Sequence, residues 1–149
     1  LESKMISDLS TAGALPALEK MFLFSGQRQR LIAQNIANID TPNYQGVDAD
    51  PVAFQRALGQ AIDKRKAKNG GASGELDLSR SSEVRMVGGR MQINPQTPIE
   101  GVLFQDRNHR DLEVLMQDMV ENATMFRVAG DLMRKNQSLI RGAIAQRVI

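Results

Sequence analysis

The sequence predicts a mainly α-helical chain: long N- and C-terminal amphipathic helices packed as a coiled-coil-like pair, with a polar, partly irregular or small β segment between them. Three observations carry this. Apolar residues recur at alternating spacings of three and four near both ends of the 149-residue chain. Aromatic residues are only 4% of it, with no Trp and one Tyr, and the apolar remainder is rich in Ala, Met, Leu and Ile. Unbranched side chains among these lose little rotamer freedom in a helix. Glycine pairs and prolines break the middle of the chain into short pieces.

The first zone runs from about Leu9 to Ile39. Leu15, Leu18, Phe22, Ile32, Ile36 and Ile39, with Ser25 and Gln29 filling the gaps, form one stripe along a helix. Pro16 stands near the front, where a missing N–H is tolerated, and Ser10 or Thr11 is placed to cap it. Pro42 disfavours helical geometry at Thr41, so the helix must stop near Asp40, and Thr41-Pro42-Asn43-Tyr44 reads as a turn.

The second zone runs from about Gln45 to Asp106. A short helix from Pro51 to about Lys68 has a weak apolar face of Val52, Phe54, Leu58 and Ile62. Asn69 to Gly74 has the composition of a flexible linker. Strands at Val84–Val87 and Met91–Ile93 would form a hairpin through Gly88-Gly89. Asn94 to Pro98 yields no assignment.

In the third zone no proline occurs from Asp111 to Val148. Leu112, Leu115, Met119, Asn122, Phe126, Ala129, Met133, Asn136, Ile140 and Ala143 follow the alternating spacing for about four heptads, as an a/d seam. Asp111 opens the helix and Arg134, Lys135, Arg141 and Arg147 load its far half, both favourable to the helix dipole. Asn122 and Asn136 either lie buried in the seam, where they would specify register, or sit wet at its edge. The expected divisions are 5–44, 45–106 and 107–149. Leu1 to Lys4 precede Met5, the expected natural start.

Composition excludes several functions. With no Cys there are no disulfides or thiolate metal sites. The net charge of +2 comes from 19 basic and 17 acidic residues that are interspersed, unlike a nucleic-acid binder's basic face. The run Lys64, Arg65, Lys66, Lys68 reads first as a solvated helix end, with a polyanion or membrane contact as the alternative. No run of about 18 apolar residues is present. No n-region, h-region and cleavage site open the chain, which implies the cytoplasm or export without a cleaved signal. His109 is the sole His, Asp48 and Asp50 lack metal-ligand partners at helical spacing, and neither a nucleophile elbow nor a P-loop occurs. The expectation is a protein with no enzymatic activity, no cofactor, no metal and no small-molecule substrate.

A narrow apolar stripe suits one or two partner helices rather than burial on all sides. An antiparallel pair of such helices buries little surface, so the remaining edge wants other subunits. The terminal helices are thus candidate assembly elements. The alternative is a monomeric bundle completed by the middle zone.

The end of the first helix reads Gln34-Asn35-Ile36-Ala37-Asn38-Ile39-Asp40-Thr41-Pro42-Asn43-Tyr44. It resembles the N-terminal signature of the flagellar rod, hook and hook-associated axial proteins, carried here by Asn35, Ala37, Asn38, Asp40, Thr41, Pro42 and Tyr44. Asn43 stands where that family usually has Gly, and Asn is the residue best able to take positive φ in its place. Asp106 to Glu113, followed by Met119, Asn122 and Phe126, resembles the proximal-rod type (FlgB-like), with Arg107 and Arg110 departing from its pattern. The resemblance covers roughly residues 9–50 and 104–149. It implies a structural subunit of the periplasmic flagellar rod whose terminal helices pack into a tubular inner layer that transmits torque. It further implies export by the flagellar type III export apparatus without a cleaved signal peptide. The partners it implies are the other proximal rod subunits, the rod–MS-ring adaptor protein and the MS-ring protein, with no nucleic acid. The alternatives are another flagellar axial protein of the proximal rod, or a helical protein binding nucleic acid or a membrane surface.

Overall fold

The computed structural model describes residues 13–97 and 108–146. In chain order these form α1 (Leu15–Ala37), α2 (Pro51–Asn69), β1 (Val84–Val87), β2 (Arg90–Ile93) and α3 (Asn108–Gln146). The chain is mainly helical, with its two long terminal helices packed together and a two-stranded antiparallel hairpin in the middle.

Pro16 sits in the first turn of α1. The caps expected at Ser10 and Thr11 lie outside the described residues. Asn38 closes α1, its N–H reaching Gln34 O at 3.1 Å and Asn35 O at 3.3 Å. Ile39, read from spacing as a helical position, therefore falls in the turn that follows. α2 is delimited more sharply. The Asp50 side chain accepts from Val52 N at 2.8 Å, Pro51 starts the helix, and Gly70 ends it at φ 70° with its N–H on Lys66 O at 2.9 Å. α3 is already helical at Asn108, the first described residue beyond 97, ahead of the expected start at Asp111.

α1 and α3 run antiparallel. Phe22 meets Phe126, Ser25 meets Asn122 and Arg28 faces Asp118, so numbers rise along one helix as they fall along the other.

The middle zone is less polar in effect than its composition implies. Ala49, Phe54, Leu58, Ala61, Leu76, Leu78, Val84 and Met91 bury themselves against Phe24 of α1, and the Phe24 and Phe54 rings stack at 3.9 Å and 2°. Burying a side chain such as Phe54 is worth about 1.5–3 kcal/mol. The inward row of α2 is Phe54, Leu58, Ala61 and Arg65, whereas Val52, expected on that face, is 59% exposed.

The glycine-rich stretch after α2 departs from a free linker. Arg65 is buried and its guanidinium donates to Gly74 O at 3.2 Å and to Gly13 O at 2.6 Å, while Gly13 N donates to Ala72 O. One cation thus gathers the stretch against the start of α1. The rest of the basic run is a helix end. Lys66 and Lys68 lie in the last turn of α2, and Lys64 donates to Asp77 at 2.7 Å, holding that carboxyl below the usual carboxylate range.

Candidate assembly site

The turn after α1 is organised by Asn35. Its side chain is buried, its Nδ2 donates to Val47 O at 2.8 Å, and its Oδ1 accepts from Val47 N at 3.1 Å and from the Tyr44 hydroxyl at 3.0 Å. The amide pairs with the Val47 backbone as a neighbouring strand would, and so folds the chain back on the helix. Between these anchors Tyr44 N donates to Thr41 O at 3.2 Å, with Pro42 and then Asn43 at φ 61° as the central residues. Proline followed by a positive φ is the type II turn. Asn38 Nδ2 donates to Gln34 O at 2.8 Å and Thr41 N to Asn38 O at 2.9 Å. Ala37 and Asp40 are exposed.

The refolded segment leads straight to an electrostatic junction. Arg28, buried on α1, forms two bonds with Asp48, at 2.9 and 2.7 Å, and stands 3.6 Å from Asp118 on α3. Asp48 in turn pairs its backbone with Gln96, N to O at 2.9 and 2.8 Å. This gives the uninterpreted Asn94–Pro98 stretch a role as far as its described part goes. Burial raises the Asp118 carboxyl above its ordinary value; Arg28 opposes the shift, and Asp48 and Glu121 add to it.

The two predicted stripes lie as follows. On α1, Ile32 and Ser25 are fully buried, and Leu15, Leu18, Phe22, Gln29 and Ile36 are half-buried, as is Ile39 beyond the helix. On α3, Asn122 and Ala129 are buried, and Leu112, Leu115, Met119, Phe126, Met133, Asn136 and Ile140 are half-buried; Ala143 is exposed. Asn122 donates to Ser25 O at 2.8 Å and to Gln29 Oε1 at 2.7 Å, which makes it a buried, bonded seam residue. Asn136 is only half-buried.

The closest approach of the helices rests on a device that spacing did not reveal. Phe22 and Phe126 stack at 4.2 Å and 23°, and each ring lies on a glycine of the opposite helix. A Cβ at Gly26 would meet Phe126 Cε2 at 3.1 Å, and one at Gly130 would meet Phe22 Cε2 at 3.3 Å. An aromatic residue four positions from a glycine on each of two facing helices is the signal that could have found it.

Sequence reading also missed how much apolar surface α3 carries off its seam. Val114, Met116, Val120, Val128, Leu132, Leu139 and Ile144 are all exposed, Val120 and Leu139 each 67%. Counting only a/d positions discards these residues. Among the described residues no group of three or more His, Cys, Asp or Glu could hold a metal. The arrangement offers surfaces for packing.

The flagellar basal body rod protein FlgB of Borrelia hermsii is 30% identical over 105 residues, covering 66% of this chain and 71% of that protein. No family profile and no solved structure matches the chain. The two long helices packed side by side with a small central hairpin fit the relationship, and the chain belongs to the FlgB family of flagellar basal body rod proteins.

Proposed function

We propose that the chain is a structural subunit of the proximal flagellar rod that polymerises through α1 and α3 and transmits torque. The observation that carries this is the state of α3 after α1 is in place. Its seam is still half-buried at most positions, and seven large apolar residues outside the seam remain exposed. Leaving so much hydrocarbon in water along one helix favours association with further subunits. The terminal segments 5–44 and 107–149 supply the assembly elements in this reading, and 45–106 is the insert region between them.

Torque resistance in this reading draws on the contacts between α1 and α3. Stacked rings seated on facing glycines and a buried amide bridging two helices resist sliding of one helix past the other. The neighbours in this reading are the other proximal rod subunits, the rod–MS-ring adaptor protein and the MS-ring protein. The site is the periplasmic rod of the basal body, reached through the flagellar type III export apparatus without a cleaved signal peptide. The family relationship supports a non-enzymatic role.

Ile36 tests the reading, because it is half-buried on the stripe beside the Asn35 anchor. Ile36→Asp, supplied to a strain lacking the gene, is expected to be expressed and to leave the cells non-swimming. Soft-agar halos of wild-type size would overturn the role of this stripe.

A further inference from the structure

A groove of about 880 Å³ opens between α1, β2 and Phe126 of α3. Phe22, Leu23 and Met91 give it an apolar floor, and Lys20, Arg30 and Arg90 line it with positive charge against the single acid Glu19. Lys20 is only 8% exposed, and its ammonium has no hydrogen-bond or ion-pair partner among the described residues. A lysine whose stem is packed while its ammonium opens to the groove presents a fixed positive charge that a carboxylate from outside could pair with.

A surface of complementary charge stands elsewhere on the same chain, on α3 ahead of Phe126. From Asp111 to Phe126 there are four acids, Asp111, Glu113, Asp118 and Glu121, and no Lys or Arg. Glu113 and Glu121 are exposed there beside Val114, Met116 and Val120, which are likewise exposed. Asp118 turns inward to Arg28, so the stretch from Glu113 to Glu121 is a ridge that presents two exposed glutamates beside an apolar crest, and the groove is a basic trough with an apolar floor.

We infer that the groove between α1 and β2 takes the N-terminal half of α3 from a second copy of this chain. The contact is head-to-tail: groove and ridge are different surfaces, so each copy can engage two neighbours and the assembly extends in one direction. Opposite charge along the two surfaces sets register and disfavours groove meeting groove. The inference deepens the assembly reading above and rests on it.

Because the chain has no Cys, thiols can be placed at will. Arg90→Cys lines the groove and Val120→Cys sits on the ridge. A double variant carrying both, treated with a short bis-maleimide in isolated basal bodies, is expected to give cross-linked dimers and higher multimers; either single variant gives neither. Arg30→Glu, at an exposed position that threatens folding less than Lys20, is expected to lower the cross-linked yield about tenfold, and Glu113→Arg with Glu121→Arg to restore it. Full incorporation without cross-linking, equal dimers from the Arg90→Cys variant alone, or a yield indifferent to Arg30→Glu would overturn the groove contact and leave the rod assignment standing. Absence of the wild-type chain from basal bodies would overturn the rod assignment itself, and the inference with it.

Discussion

Arg28 and Asp48 meet through two parallel hydrogen bonds, 2.9 and 2.7 Å, with Asp118 of the other long helix 3.6 Å from the same guanidinium. One buried cation therefore joins α1, the segment that follows the signature turn, and α3. A bidentate pair satisfies the guanidinium geometrically as well as electrically. Asp118 is the weaker partner, since Asp48 already holds the near side of Arg28.

The titration of Asp118 follows from that inequality. Its folded carboxyl lies above the ordinary value, chiefly through burial. A group raised on folding contributes stability that is full below its unfolded value and is lost as pH rises through the folded one. Asp118→Asn is expected to leave the chain as stable as the parent, or more so, at neutral pH. The advantage should shrink as pH falls through the carboxylate range. Urea denaturation on both sides of that range checks it; a variant markedly less stable at neutral pH would mean that the long contact to Arg28 outweighs the burial.

The two interior glycines of α1 and α2 are expected to respond in opposite directions. A Cβ at Gly59 would meet nothing within 4 Å, so Gly59→Ala is expected to stabilise by about 0.5–1 kcal/mol through helix propensity alone. At Gly26 the same methyl would press on Phe126 at 3.1 Å, and Phe126 cannot retreat readily because it stacks on Phe22. Overpacking costs about 1–3 kcal/mol, enough to overcome the propensity gain. Thermal melts of the two variants, read side by side, are expected to move apart; a shift upward in both would show that the ring stack is loose.

Much of this architecture was legible in sequence because it rests on short-range rules. Proline at the start of α1 and α2, glycine at the end of α2, and the Gly88-Gly89 turn are local instructions, and their elements stand within a few residues of expectation. The seam of α3 was legible because spacing alone places Leu112 through Ile140 on one side of a helix. What was not legible depends on distant partners. Arg65 reads as part of a basic run, yet it is buried and tied to carbonyls nine and fifty-two residues away. The Gln27 side chain accepts from Ile93 N at 2.7 Å and donates to Met91 O at 3.1 Å, covering the free edge of β2 with a contact that no local pattern announces. Val52 misled because a weak apolar face on a short helix fits more than one rotation, and only the Phe24–Phe54 stack selects one.

The signature turn gives a test at one residue. Asn43 holds φ 61° at the third position of its turn, where a side chain without a local polar group is strained. Asn43→Gly is expected to leave stability unchanged within a few tenths of a kcal/mol or raise it slightly, while Asn43→Val is expected to cost about 1–2 kcal/mol. The loss should appear as weakened protection of the Val47 amide, because that N–H depends on Asn35 being held at the turn. Hydrogen exchange at Val47 reads this directly; equal protection in the Gly and Val variants would detach the turn from the Asn35 anchor.

The exposed face of α3 separates folding from assembly. Leu139 is 67% exposed, so Leu139→Lys removes hydrocarbon that the isolated subunit does not bury and adds a cation in the far half of the helix, where the dipole accepts it. Its melting temperature is therefore expected to stay within the range of ordinary surface substitutions, about ±0.5 kcal/mol. Met133 differs, being half-buried on the seam. Met133→Asp places a carboxylate against the packed side of the helix and is expected to weaken the subunit as well as block its incorporation. If α3 meets other subunits through both surfaces, each variant is exported and each is depleted from purified basal bodies, but only Met133→Asp also lowers the melting temperature. Wild-type amounts of Leu139→Lys in basal bodies would mean that this face stays in water in the finished rod, and the apolar residues along it would then need another explanation.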